Sequence, residues 1–243
     1  YTPGDVERLA QAIEATGKSL TTIYITHAHF DHYFGLGALL ERFPGARGVA
    51  LQSVVEFVRE THEAGRALAE QWLPGKFLDT NVLPEALDGD TIALDGHDLR
   101  AIEVGQGDIA HSTVLHAPSI DAVVAGDVVY NGVHQMLAVS GPDDWPRWIA
   151  SVDKIAALEP KAVVAGHKRP DLPDDDVPAI LDGTRDYIRA FTAELADSDD
   201  ADALIARMTE RFPDRINPAT LVVSARAAIE HKLAAATPDR SPS

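Results

Sequence analysis

Three histidines and an aspartate fall within six residues, His27-Ala28-His29-Phe30-Asp31-His32. They follow directly on Leu20–Thr26, an apolar and β-branched run that reads as a buried strand. The cluster therefore stands at the carboxyl end of a strand, where the chain leaves the core. Imidazole and carboxylate donors at this density suit Zn, Fe or Mn rather than Ca or Mg alone. In an extended segment His27 and His29 point to one side. Asp31 and His32 lie where the chain turns into the next helix, so they can face a second point a few ångströms away. The bland alternative, a solvated His-rich turn, loses ground because further candidate ligands occur downstream.

Composition narrows the chemistry. The 243 residues contain no cysteine, which removes thiolate metal sites, thiol nucleophiles and disulfides together. Any metal is then held by His, Asp and Glu. Acids outnumber bases by 38 to 21, a formal net charge of -17, so a nucleic-acid partner is not expected, since phosphate binding draws on Lys and Arg. No apolar run approaches the length needed to span a bilayer. A small-molecule substrate is the expected partner, with a homodimer left open. The expected compartment is the cytoplasm, with a secreted or periplasmic location left open.

Strand and helix signals alternate along most of the chain. Asp5–Ala15 has helical spacing stopped by Gly17, Phe34–Phe43 is a helix closed by Pro44-Gly45, and Gly48–Leu51 is a short strand. Ser53 is placed to cap a helix reaching about Trp72. Thr91–Leu94 and Asp98–Val104 flank the hairpin signal Asp95-Gly96. Thr113–Ala117 and Ala122–Ala125 form a further strand pair, and Ala162–Ala165 is a short buried strand. A helix runs from Trp145 to Leu158. From Val177 the pattern is helical: Val177–Ala196, Ala201–Arg211 and Pro218–Leu233, with Pro238–Ser243 a polar frayed tail. Mixed strands and helices argue for an α/β layered domain over 1–173, followed by a helical extension over 174–243 that serves as a lid or a dimer contact.

The segment Thr26-His27-Ala28-His29-Phe30-Asp31-His32 resembles the hallmark of the metallo-β-lactamase-fold hydrolases, Thr-His-x-His-x-Asp-His. Three later segments fall in the family's order: Gly107-Asp108-Ile109-Ala110-His111-Ser112, Ala125-Gly126-Asp127 and Ala165-Gly166-His167. The resemblance covers about residues 5 to 170 and is closest in site pattern to lactonase- and glyoxalase-like hydrolases. It implies a four-layer αββα sandwich. It also implies that His27, His29 and His111 hold one metal, that Asp31, His32 and His167 hold a second, and that Asp127 bridges them. Two Zn2+ per chain are implied, with Fe or Mn as alternatives. The chemistry implied is cleavage of a lactone, ester, thioester or lactam by a metal-bridging hydroxide, with Asp31 receiving and returning the proton. Tyr130, three residues after Asp127, resembles a lactonase tyrosine that meets the substrate carbonyl, where it could hydrogen-bond the developing oxyanion. Packing at the loop rim is the competing reading.

His134, on the segment after Tyr130, is a candidate for the substrate pocket. His116 reads as a core or edge histidine, and His62, His97 and His231 read as surface residues. The acids of 171–176 read as a solvated loop capping the next helix, and Trp145 and Trp148 as packing residues, one of which could wall the pocket. Proteins of this fold begin with strands ahead of the first helix, and those strands are not in this sequence, so the intact gene product is expected to be longer. Three competing functions stay open: a mononuclear iron persulfide dioxygenase of the same fold, a non-catalytic binding protein on this scaffold, and a nuclease, which the acidic balance disfavours.

Overall fold

The computed structural model describes residues 1–78 and 81–236; the tail expected at Pro238–Ser243 lies outside them. The chain divides into two compact units, one formed by Tyr1–Glu103 with His111–His116, the other by Val104–Ala110 with the chain from Ala117 onward. Among the described residues no helix is long and apolar enough to cross a membrane.

In the first unit, helix α1 (Pro3–Ala15) begins with a capping box, the Thr2 side chain accepting from Asp5 N–H and the Asp5 carboxylate accepting from Thr2 N–H. Strands β1 (Thr22–Tyr24), β2 (Arg47–Ala50) and β3 (Glu85–Ala86) form a parallel three-stranded sheet in that order. Parallel neighbours need crossover helices, and two are supplied: α3 (Leu36–Arg42) between β1 and β2, and α4 (Gln52–Trp72) between β2 and β3. A single turn, α2 (Phe30–Tyr33), sits just after β1. Phe30, Tyr33 and Phe34 pack with Val54, Val55 and Val58 of α4 into the core of this unit. Strand β4 (Thr91–Leu94) pairs antiparallel with β5 (His97–Gly105), and the turn between them has Asp95 at φ 50° and Gly96 at φ 82°, both on the positive side that a tight hairpin demands. Strand β6 (Ser112–Ala117) follows.

Two expectations need correction here. Helix α4 is capped by Leu51 with no side-chain hydrogen bond, not by Ser53, whose hydroxyl instead donates to Glu103 at 2.9 Å. His62 is a core residue and not a surface one: it is 8% exposed, and its Nδ1 is hydrogen-bonded to the Tyr33 hydroxyl at 3.0 Å. The reason is its place in the inner stripe of α4, four residues after Val58 and on the same face.

In the second unit, β7 (Ala122–Asn131) runs parallel to β8 (Ala162–Lys168), connected by α5 (Trp145–Ala156). Three helices complete it: α6 (Val177–Ala196), α7 (Ala201–Arg211) and α8 (Pro218–Ala236). Both α5 and α6 pack on β7, so α6 shares a compact unit with the strand that carries Asp127. Trp145 and Trp148 are both buried; Trp145 stands edge-on to Phe191 and the Trp148 indole N–H donates to the Val128 carbonyl at 2.8 Å. The acid run caps α6 as expected, through the Asp176 side chain accepting from Ala179 N–H.

Strand β7 leaves its ladder register twice, between Val124 and Gly126 and between Gly126 and Tyr130. Such irregularities re-aim side chains at the cost of ladder hydrogen bonds. Thr184, buried on α6, makes good part of that cost by accepting from Tyr130 N–H at 3.2 Å. Replacing it by valine keeps the shape and removes the acceptor. Thr184→Val is expected to lower stability by about 1–3 kcal/mol, read as a lower urea midpoint with an unchanged slope; an unchanged midpoint would show that the contact contributes nothing.

Candidate metal centre

The first unit places four candidate donors just after the end of β1. The Thr26 carbonyl accepts from Thr113 twice, from its N–H at 3.0 Å and its hydroxyl at 2.7 Å, and the Thr113 hydroxyl also meets the Tyr24 hydroxyl at 2.8 Å. That brace fixes the backbone where the His segment begins. The His27 ring is buried, and its Nδ1 is hydrogen-bonded to the Thr26 hydroxyl at 2.9 Å. A hydrogen bond at one ring nitrogen orients the ring and directs metal binding to the other. The rings of His27 and His29 are 5.3 Å apart, and those of His27 and His32 are 4.1 Å apart. A ring nitrogen of His27 and one of His29 lie within 4.8 Å of each other, as do donor atoms of Asp31 and His32. The turn α2 produces this separation of roles: Phe30 and Tyr33, three apart, are buried, while Asp31 and His32 between them are only half-buried.

The second unit carries another set. Asp127 sits on β7 within the second irregularity and is 2% exposed. Asp108, on the segment after β5, is fully buried. The buried Tyr130 hydroxyl lies 3.1 Å from Asp127 Oδ2 and 3.2 Å from Asp108 Oδ2, so one O–H faces two carboxylates. A carboxylate oxygen of Asp108 and one of Asp127 lie within 4.8 Å of each other. His167, at the end of β8, brings Nε2 to 3.2 Å from Asp127 Oδ2, and its ring stacks on Tyr130 at 5.7 Å.

His111 has a different setting. It belongs to the first unit, its side chain is 48% exposed, its Nδ1 is 3.4 Å from Glu103 Oε1, and its ring lies 5.2 Å from Phe57. Its φ of 56° is unusual for a residue with a side chain. It stands outside the groups of mutually close His and acid side chains, whereas Asp108 stands within one. Sequence reasoning passes over Asp108: it lies in the same segment, but a histidine three residues on is the more conspicuous donor.

His134 is 3% exposed, with Nδ1 hydrogen-bonded to the Tyr187 hydroxyl at 2.9 Å. Burial, and then the Arg215 cation, push its pKa down to about 4. Arg215 itself donates to the Val133 and Gly183 carbonyls at 2.7 Å each and lies over the Tyr187 ring. These contacts make His134 a packed interior residue. His116 is half-buried on β6, and His97 and His231 are exposed.

The donors present fit a metal of the Zn, Fe or Mn type: imidazole nitrogens and carboxylate oxygens, several of them buried and close together. The backbone is shaped to the same end. A Cβ at Gly166 would lie 2.0 Å from Asp127 Oδ1 and 2.8 Å from the Gly126 carbonyl carbon, so glycine is required for the carboxylate to sit where it does. Gly166→Ala is expected to weaken metal binding by about 10- to 100-fold in calorimetric titration, with Zn2+ as the probe, of protein that remains folded by circular dichroism; wild-type affinity would show that the carboxylate's placement does not bear on metal binding. A second expectation concerns acid stability. With a folded pKa near 4 against an ordinary value of 6.5, His134 binds its proton more readily in the unfolded chain between those values. Stability should therefore fall as pH drops from about 6.5 to 4. The denaturation midpoint should fall more steeply in the wild type than in His134→Gln; parallel slopes would contradict this.

The metallo-beta-lactamase superfamily model matches residues 2–167. A hydroxyacylglutathione hydrolase from Acidiphilium cryptum is 30% identical over 168 residues, covering 68% of this chain and 58% of that protein; the chain thus spans under two thirds of the length of this curated relative. Among solved structures, a metallo-beta-lactamase family protein from Thermus thermophilus superposes with a TM-score of 0.60 at 22% identity, over 91% of this chain and 77% of that one. A metallo-beta-lactamase from Pontibacter korlensis gives 0.51 at 19% identity, over 75% and 76%. At such identities these likenesses speak for the fold, and the family match for kinship. The chain belongs to the metallo-beta-lactamase superfamily.

Proposed function

We propose that this protein is a metal-dependent hydrolase that cleaves a carbonyl bond of a small molecule, of the lactone, ester, thioester or lactam class. The observation that carries the reading is the concentration of His and Asp donors at strand ends: His27, His29, Asp31 and His32 after β1, Asp127 within β7 and His167 at the end of β8. Family membership supports it, and the curated relative bears the name of a hydrolase. In this reading His27, His29, Asp31, His32, Asp127 and His167 are the residues that would hold zinc.

Such metals, when bound, lower the pKa of water enough to give hydroxide at neutral pH and polarise a carbonyl. The chain's own groups do the rest. Thr26 fixes the His27 ring through Nδ1. Asp31, half-buried and 3.5 Å from His32, is placed to accept the proton that water releases and to return it to the leaving group. Tyr130 has its hydroxyl directed at Asp127 and Asp108. That proton holds the carboxylates in place, so Tyr130 is assigned a positioning role in preference to donating to a substrate oxyanion.

Metal analysis of protein purified without added metal, followed by a panel of lactones, esters, thioesters and β-lactams, tests the reading. Two zinc per chain and turnover of one class are expected, with Asp31→Asn lowering kcat by about 100-fold or more. A single iron per chain with oxygen consumption, or zinc-loaded protein that turns over none of the panel, would contradict it.

A further inference from the structure

We propose that Asp108, and not His111, is the metal ligand contributed by the segment between β5 and β6. The proposal rests on the metal-centre reading above and changes its donor set: a carboxylate stands where the resemblance puts an imidazole.

Three observations converge. Asp108 is fully buried, whereas the His111 side chain is 48% exposed. Asp108 and Asp127 bring carboxylate oxygens within 4.8 Å of each other, and both face the Tyr130 hydroxyl. Two carboxylates buried this close together are each costly to hold in the charged form without a cation's help. Buried carboxylate oxygens brought this close together are a donor pair that suits a metal cation. His111, in contrast, has its Nδ1 at Glu103 and its ring against Phe57, contacts that hold the imidazole in the first unit's surface.

The local backbone explains how the exchange arises. Gly105 ends β5 at φ 106°, and Gly107 N–H donates to the Ile109 carbonyl at 3.0 Å. That tight turn presents Asp108 at its apex, with Ile109 also buried. Lys154 and Ser151 of α5 donate to the Val104 carbonyl, at 2.6 and 2.9 Å, and anchor the approach to the turn. The chain then enters β6 through the left-handed His111. The chemical consequence is a more anionic and harder donor set. It favours Mn or Fe relative to the set that has His111 in place of Asp108, while still accepting Zn.

The test is titration of metal-free protein with Zn2+ and with Mn2+, by calorimetry and by metal content after desalting. The wild type is compared with His111→Ala, Asp108→Ala and Asp108→Asn. His111→Ala should keep the wild-type stoichiometry, with affinity within about threefold. Asp108→Ala and Asp108→Asn should lose one equivalent or weaken by about 100-fold or more, a larger effect than loss of an outer partner. Asp108→Asn preserves the side-chain shape, so it separates loss of a ligand from loss of folding. Asp108→His, read through the visible spectrum of the Co2+-loaded protein, should restore binding with an altered spectrum. Loss of metal in His111→Ala, whether or not the Asp108 variants also lose it, would overturn the assignment. Retention in both Asp108 variants would do the same. A wild type that binds no metal would overturn the proposed function along with it.

Discussion

The second unit is organised around the burial of Asp108 and Asp127 beneath one phenol hydroxyl. Buried carboxylates are expensive, and a close pair is more so. The surrounding structure reads as the set of contacts that tolerates them. Tyr130 is held in β7 by Thr184 through its backbone and by Trp148, whose ring lies 6.1 Å away. Trp148 is in turn tied to β7 by its indole N–H. Gly166 leaves the space that the Asp127 carboxylate occupies. The irregularities in β7 aim Asp127 out of an otherwise regular ladder. Removing any one of these relaxes the pair without removing a donor, which is why stability and metal affinity are expected to be linked here.

The first unit solves a different problem, bringing several imidazoles together without collapsing them into the core. Its answer is a short brace and a single helical turn. Thr113 holds the Thr26 carbonyl, and Thr26 holds His27. In the turn that follows, Phe30 and Tyr33 enter the apolar core, and Asp31 and His32 are left on the other face. His62 completes this packing by meeting the Tyr33 hydroxyl, a structural use of a residue type that also ligates metal.

Much of this was legible in the sequence, for physical reasons that can be named. Helices α1 and α4 to α7 have an apolar period that sequence alone displays, and Asp95-Gly96 specifies its hairpin through backbone chirality. The segment of 27–32 was legible because so many donors in so few residues have few other uses. Strand β3 was not, since two residues joined to a parallel partner carry no pattern of their own. Strand β7 runs past the apolar stretch Ala122–Ala125 because Gly126 and Asp127 interrupt the pattern but not the strand. His62 and Asp108 were missed for one common reason: burial is set by tertiary packing, and neither residue type announces it. His62 could have been found from its spacing to Val58. The burial of Asp108 could not be read from spacing, because it depends on a turn that the glycines at 105 and 107 permit but do not dictate.

Diffraction from crystals grown with zinc, with anomalous differences collected on both sides of the zinc absorption edge, tests the central claim most directly. Zinc is expected on His27, His29, Asp31, His32, Asp127 and His167, with an Asp108 oxygen at about 2.0–2.2 Å from a metal and the His111 ring outside the coordination sphere. Zinc absent from these residues, or a His111 nitrogen bound in place of Asp108, would contradict it.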